Sequence, residues 1–320
     1  MNLYPLQFKP EMKERVWGGR ALERFGLELP DGHIGEGWMI GDHPNGTTKA
    51  MNGELAGLGL DEIREKYGQE LFGTKGQTNG GRFPLLIKLL DCQDDLSVQV
   101  HPNDSYEKLP AGELGKTEMW YILNAKPGAR ILYGLKPGVT RESLEEAIQG
   151  GRIMDSLQEV PVKAGDSFYI PAGTVHALCA GVLAAEIQQN SDTTYRLYDY
   201  DRPGLDGKPR ELHIEDSLNV IAYEGAGATR MTTELEEPNR WLTLAQSPYF
   251  VVEKGRVEQS WALQTSPESF VIHIVCEGAG QLVWTDGSLD LKPGDAFLLP
   301  AGLGSYSLEG EVTVLRSYLP

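Results

Sequence analysis

One short pattern occurs twice and limits what this chain can fold into more than any other feature. KAGDSFYIPAG at 163–173 returns as KPGDAFLLPAG at 292–302. Each copy reads as a tight turn, an alternating strand and a Pro-x-Gly turn that ends it. A recurrence of this kind implies two related antiparallel β-barrels in tandem, and 320 residues suffice for two cores. The expected division is an N-terminal unit over 1–225, a turn-rich acidic linker over 226–239 and a C-terminal unit over 240–320. The copies differ where chemistry would sit. The first runs on to His176, whereas the second has Ser305 at the matching position, so the C-terminal unit is expected to hold no metal.

The stretch SVQVHPND at 97–104 follows an apolar run, FPLLIKLL at 83–90, and reads as a strand. Alternation turns Ser97, Gln99 and His101 to one face and Val98 and Val100 to the other. Pro102 stops the strand, having no N–H for the ladder. A polar row facing the inside of a small barrel is costly unless something binds it, and a metal ion would satisfy it. The plainer alternative is a strand-end His101 bonded to a backbone carbonyl. A second strand over 116–123 puts Lys116 and Glu118 on one face. Few helices are expected. One spans 59–67 with Asp61 as its cap, one spans 140–149 with Thr140 as N-cap, and a patch covers 214–220. His33, His43 and His213 are expected to face solvent or cap helices, and His273 to sit in a barrel without metal. Cys179, in apolar company, reads as a buried thiol rather than a ligand.

The formal charge of −17, with no basic stripe to offset it, argues against nucleic acid and anionic membranes as partners. A small phosphorylated substrate remains compatible, because a few cations in a cleft outweigh distant screened carboxylates. Three cysteines without CxxC spacing point to a reducing compartment. No signal-like or membrane-spanning apolar run is apparent, so a cytoplasmic location is expected, as a monomer or homodimer.

The first repeat with its histidine, Gly165 to His176, resembles the second motif of cupins, small jelly-roll barrels that hold a metal inside. The usual Asn four residues on is here Ala180. Taken with QVHPND at 99–104, KTEMWY at 116–121 and QNSDTTYR at 189–196, the chain resembles the type I mannose-6-phosphate isomerases, in their short bacterial form. The resemblance implies a mainly β fold of two tandem cupin-like antiparallel barrels. It places metal ligands on Gln99, His101, Glu118 and His176, and catalytic groups on Arg196, Lys116 and Asp192. Lys88, Ser97 and Trp17 fall on substrate positions. Ile40-Gly41 and Leu178 depart from the family pattern, which bears on the sugar pocket rather than on the metal.

Two imidazoles, a carboxylate and an amide oxygen suit one borderline divalent ion, Zn2+, with a coordination position left open. Aldose–ketose isomerisation of a sugar phosphate removes a weakly acidic C2 proton, and a cation beside O1 and O2 would favour the enediolate. Arg196 could pair in a bidentate way with phosphate or oxyanion. Asp192 could orient Arg196 or move a proton, and the residues alone leave both open. The rival reading is another metal-binding cupin, an oxygenase or a sugar-phosphate-binding module. An oxygenase would favour three histidines, and a relict module should have lost ligands.

Overall fold

Alternation along buried strands builds the architecture. In Leu85–Cys92, Leu85, Ile87 and Leu89 join one apolar cluster and Leu90 and Cys92 another. The strand is therefore buried on both faces, at the centre of the molecule. The computed structural model describes residues 3–76, 81–224, 230–232 and 237–320.

Leu85–Cys92 lies within a seven-stranded antiparallel sheet. Its order is Arg230–Thr232, Asp166–Ile170, Glu118–Ala125, Val182–Gln189, Leu85–Cys92, Ile34–Ile40 and Glu11–Gly19. A five-stranded sheet faces it, in the order Leu157–Pro161, Arg130–Leu135, His176–Leu178, Val98–Val100 and Tyr195–Tyr198. Trp17, Trp120, Ile131, Phe168 and Leu178 pack between the two layers. The outer face of the smaller sheet carries Val98, Val100 and Ala177 against Leu144 and Leu218 of the helices Arg141–Gln149 and Ile214–Val220. The fold is mainly β and antiparallel as expected, but each layer is an open sheet rather than a closed barrel.

The other face of the seven-stranded sheet packs on the C-terminal unit, where Leu85, Ile87, Met119 and Ile187 meet Phe250, Ile272 and Leu298. Three strands of fourteen residues, Val251–Gln264, Val271–Trp284 and Ser305–Tyr318, form the body of that unit. Its sheet also takes in Leu6–Lys9, which pairs with Ala296–Leu299 through Leu6↔Leu298. Of the linker expected over 226–239, residues 226–229 and 233–236 lie outside the described residues, and Arg230–Thr232 pairs with Asp166–Phe168.

The repeat is one turn used twice. Asp166 accepts from the Lys163 backbone N–H at 2.8 Å and Asp295 from that of Lys292 at 3.0 Å. Gly165 and Gly294 take φ of +90° and +88°, a region that favours glycine. The register beyond the turn shows what became of the second site. Ile170 pairs with Glu118 and Phe168 with Trp120, whereas Leu299 pairs with Val271 and Phe297 with His273. Val271 thus stands where the first unit has Glu118, and Ser305 where it has His176.

Three local expectations need correction. The helix Leu60–Tyr67 is capped at Gly59, not Asp61, because the Glu62 carboxylate folds back to accept the Gly59 N–H at 2.7 Å. His43 is buried rather than solvent-facing. Its Nε2 lies 3.2 Å from Glu113 and its Nδ1 accepts from the Asn45 N–H, so both ring nitrogens are satisfied inside. The strand expected over 116–123 begins at Glu118. Thr140 caps its helix as expected, exchanging bonds with Ser143. No helix among the described residues is long and apolar enough to cross a membrane.

Candidate active site

The interior face of the seven-stranded sheet carries its polar residues in a cross-strand row. Trp38 pairs with Lys88, Lys88 with Glu186, and Glu186 with Trp120. Lys88, Glu186 and Trp120 alternate with Ile87 and Leu89, Ala185 and Ile187, and Met119 and Tyr121 of the opposite apolar face, so alternation turns them to one side. Glu186 Oε1 lies 3.2 Å from Lys88 Nζ, and Oε2 accepts from Trp120 Nε1 at 2.9 Å. Glu36 accepts from Trp38 Nε1 and Arg15 Nε, both at 2.7 Å. Burial lowers the affinity of the Lys88 ammonium for its proton, but Glu186 and Glu36 outweigh it and raise the pKa.

Beside this row the two sheets bring His101, Glu118 and His176 together, all buried, with ligand atoms within 4.8 Å of one another. His176 pairs with Gln99 across the smaller sheet, and Glu118 reaches in from the larger. His101 Nδ1 lies 2.9 Å from the Thr193 carbonyl and His176 Nδ1 2.8 Å from that of Thr174. Each Nδ1 therefore carries the proton, and each Nε2 presents a lone pair. These two lone-pair nitrogens stand 3.1 Å apart. Glu118 Oε1, 3.3 Å from His176 Nε2, is buried with no hydrogen-bond partner. Gln99 places an amide atom 3.4 Å from the same nitrogen, and rotation of the amide would present its oxygen instead.

Converging lone pairs and an unpartnered buried carboxylate oxygen repel one another unless a cation lies among them. Two imidazoles, one carboxylate and one amide are a donor set a borderline divalent ion accepts. The backbone carbonyls behind both histidines fix the tautomer that such binding needs. Burial, then the Lys116 charge, pushes the His101 pKa down to about 3, and burial likewise lowers that of His176, which keeps both rings neutral. Burial alone would raise the Glu118 carboxyl, but the Lys116 ammonium beside it holds it well below the ordinary carboxylate range. Lys116 Nζ contacts Glu118 Oε2 and lies 3.1 Å from His101 Nε2.

A cleft of about 660 Å³ opens from this cluster, and its wall includes Lys88, Gln99, Lys116, Glu186, Asp192 and Arg196. Ser97 and Trp17 line it as well, with the Arg196 Nε donating to Ser97 Oγ at 3.3 Å. Arg196 Nη1 donates to the Glu211 carbonyl at 2.7 Å. Asp192 accepts from Asn45 Nδ2 at 2.8 Å, and among the described residues no ion pair joins it to Arg196. Seven of the ten residues singled out in the sequence therefore line one cleft, and His101, Glu118 and His176 are buried behind its wall, against Gln99 and Lys116. Glu36 and Glu186 escaped notice. Their signal was available, since each is a lone carboxylate in a strand buried at every position, IGEGWMI or VLAAEIQQ, where an unpaired charge is costly. His273 bonds Tyr306 through Nε2 at 2.9 Å in the C-terminal unit, away from this cluster.

Known proteins share the fold and much of the sequence. A family model for the phosphomannose isomerase type I catalytic domain matches residues 5–127, and one for the mannose-6-phosphate isomerase cupin domain matches 240–319. The mannose-6-phosphate isomerase ManA of Bacillus subtilis (strain 168) is 45% identical over the whole of both chains. A mannose-6-phosphate isomerase of Streptococcus mutans is 38% identical over 98% of each. The crystal structure of the mannose 6-phosphate isomerase from Bacillus subtilis superposes with a TM-score of 0.87, at 39% identity, over 98% of this chain and 99% of that one. Likeness at this level, in sequence and fold from end to end of both chains, leaves one assignment: the chain belongs to the type I mannose-6-phosphate isomerase family of enzymes.

Proposed function

We propose that the chain interconverts mannose 6-phosphate and fructose 6-phosphate through an enediol(ate), with one Zn2+ per chain held by Gln99, His101, Glu118 and His176. The observation that carries this reading is the meeting of two imidazole lone pairs and the unpartnered Glu118 oxygen beside Gln99 and Lys116 of a polar cleft. The names of the full-length relatives support the reaction. A divalent cation bound there would supply positive charge beside the two sugar oxygens on which negative charge builds as the C2 proton leaves.

The chain's own groups do the rest. In this reading Lys116 and Lys88, paired with Glu118 and Glu186, set their side-chain nitrogens against the reacting end of the sugar. Arg196, anchored by Ser97 and Glu211, offers its guanidinium to the phosphate or the developing oxyanion. Asp192, held by Asn45 rather than by Arg196, is free to take part in proton transfer. Trp17 walls the cleft and excludes water.

Chelation should abolish isomerase activity, followed as fructose 6-phosphate formation in a coupled assay, and added Zn2+ should restore it. Full activity in protein shown to be metal-free would sink the metal assignment.

A further inference from the structure

One side of the cleft mouth is formed by a loop over 199–213 that is organised around a single buried carboxylate. Asp199 is 5% exposed and receives two guanidiniums. Arg210 donates through Nε at 2.6 Å and Nη2 at 2.5 Å, and Arg202 through Nη2 at 3.0 Å and Nε at 3.2 Å. The next two residues, Tyr200 and Asp201, have φ of 59° and 52°. Two left-handed non-glycine residues in succession are strained and persist only where surrounding contacts demand them. Here they turn the chain so that Arg202 returns to the carboxylate just before it. A bridge between Pro203 and Pro209 then brings Arg210 back to the same point.

The returning limb also fixes Arg196, since the carbonyl that receives its Nη1 belongs to Glu211, the neighbour of Arg210. Arg196 and Arg210 both line the cleft. Two guanidiniums therefore contact one buried anion and the Arg196 guanidinium stands near them, a local concentration of positive charge in a chain that is strongly acidic overall. Asp206 and Glu211 share this rim but are exposed, so water screens them. Burial and then the Arg210 charge lower the Arg196 pKa, as expected for neighbouring cations short of a counter-ion.

We propose that Arg210 is a second guanidinium for the phosphoryl group of the sugar phosphate, and that Asp199 is the positioning residue that aims it into the cleft. This rests on the isomerase reading above. A phosphate dianion matches the surplus charge, and the planar fork of Arg210, already held on one edge by Asp199, loses little freedom in binding it.

The test uses the zinc-loaded full chain and the variants Arg210→Met, Arg210→Gln, Arg210→Lys and Asp199→Asn. KM and kcat for fructose 6-phosphate would be measured, together with the affinity for inorganic phosphate by calorimetry. Arg210→Met and Arg210→Gln should each raise KM and weaken phosphate binding about tenfold while kcat changes less than about threefold. Arg210→Lys should recover part of the phosphate affinity, and Asp199→Asn should raise KM with kcat largely kept. Unchanged KM and phosphate affinity in Arg210→Gln, or a fall in kcat alone, would overturn the proposal, and Arg210→Gln decides the matter if Arg210→Met does not fold. A wild-type chain that binds phosphate through Arg210 but forms no product would sink the isomerase reading instead.

Discussion

Single residues here are defined by what they cannot satisfy alone. Glu118 is buried with one oxygen bonded to Lys116 and the other without a partner, between imidazoles whose N–H groups point away. Arg196 differs in kind, because its guanidinium lines the cleft and bonds a hydroxyl and a carbonyl rather than a carboxylate. Replacing it with lysine keeps the charge and removes the fork. Arg196→Lys is expected to lower turnover roughly a hundredfold with the metal content unchanged, because no ligand is touched. Elemental analysis alongside steady-state kinetics checks this, and unchanged kinetics would refute the role.

At the scale of elements, the strands Ile34–Ile40, Leu85–Cys92 and Val182–Gln189 carry Glu36, Lys88 and Glu186 into the interior, and Arg15 of the neighbouring strand Glu11–Gly19 balances the second carboxylate. Glu36 shows the balance. Burial would raise its carboxyl, but Lys88, Arg15 and the Trp38 N–H pull it down to about 2 from the ordinary 4.5. A depressed value means the folded chain binds that proton less readily than the unfolded one. The contribution is therefore complete above about pH 4.5 and lost as the pH falls toward 2. It amounts to at most about 3 kcal/mol, at 1.36 kcal/mol per unit. Urea midpoints for wild type and Glu36→Gln between pH 5 and 2.5 should show a shallower acid loss in the variant. Equal slopes would mean the pair stabilises nothing.

Across the whole molecule, the two units share one core. Leu85, Ile87 and Met119 pack on Phe250, Ile272 and Leu298, and Leu6–Lys9 completes the C-terminal sheet. Units joined through so much apolar surface should unfold together. Calorimetry is expected to show one cooperative transition, with two separated peaks as the outcome that counts against it. The C-terminal unit keeps the repeat's turn but has Val271 and Ser305 where Glu118 and His176 stand in the first. We read it as a structural partner that buries the outer face of the catalytic sheet.

Local chemistry was legible in the sequence, because it depends on period and turn type. The alternation of Ser97, Gln99 and His101, the Gly-Asp turn at 165–166 and 294–295, and the Thr140 cap all follow from neighbours a few residues apart. The motifs likewise pointed to seven residues that line the cleft and to the three buried against its wall. Distant partnerships were not legible. That Lys88 meets Glu186, that Asp192 bonds Asn45 instead of Arg196, and that Asp199 gathers Arg202 and Arg210 depend on strand register and loop return. A strand's pattern states which side chains turn inward, and only the neighbouring strand decides which charge each will find there.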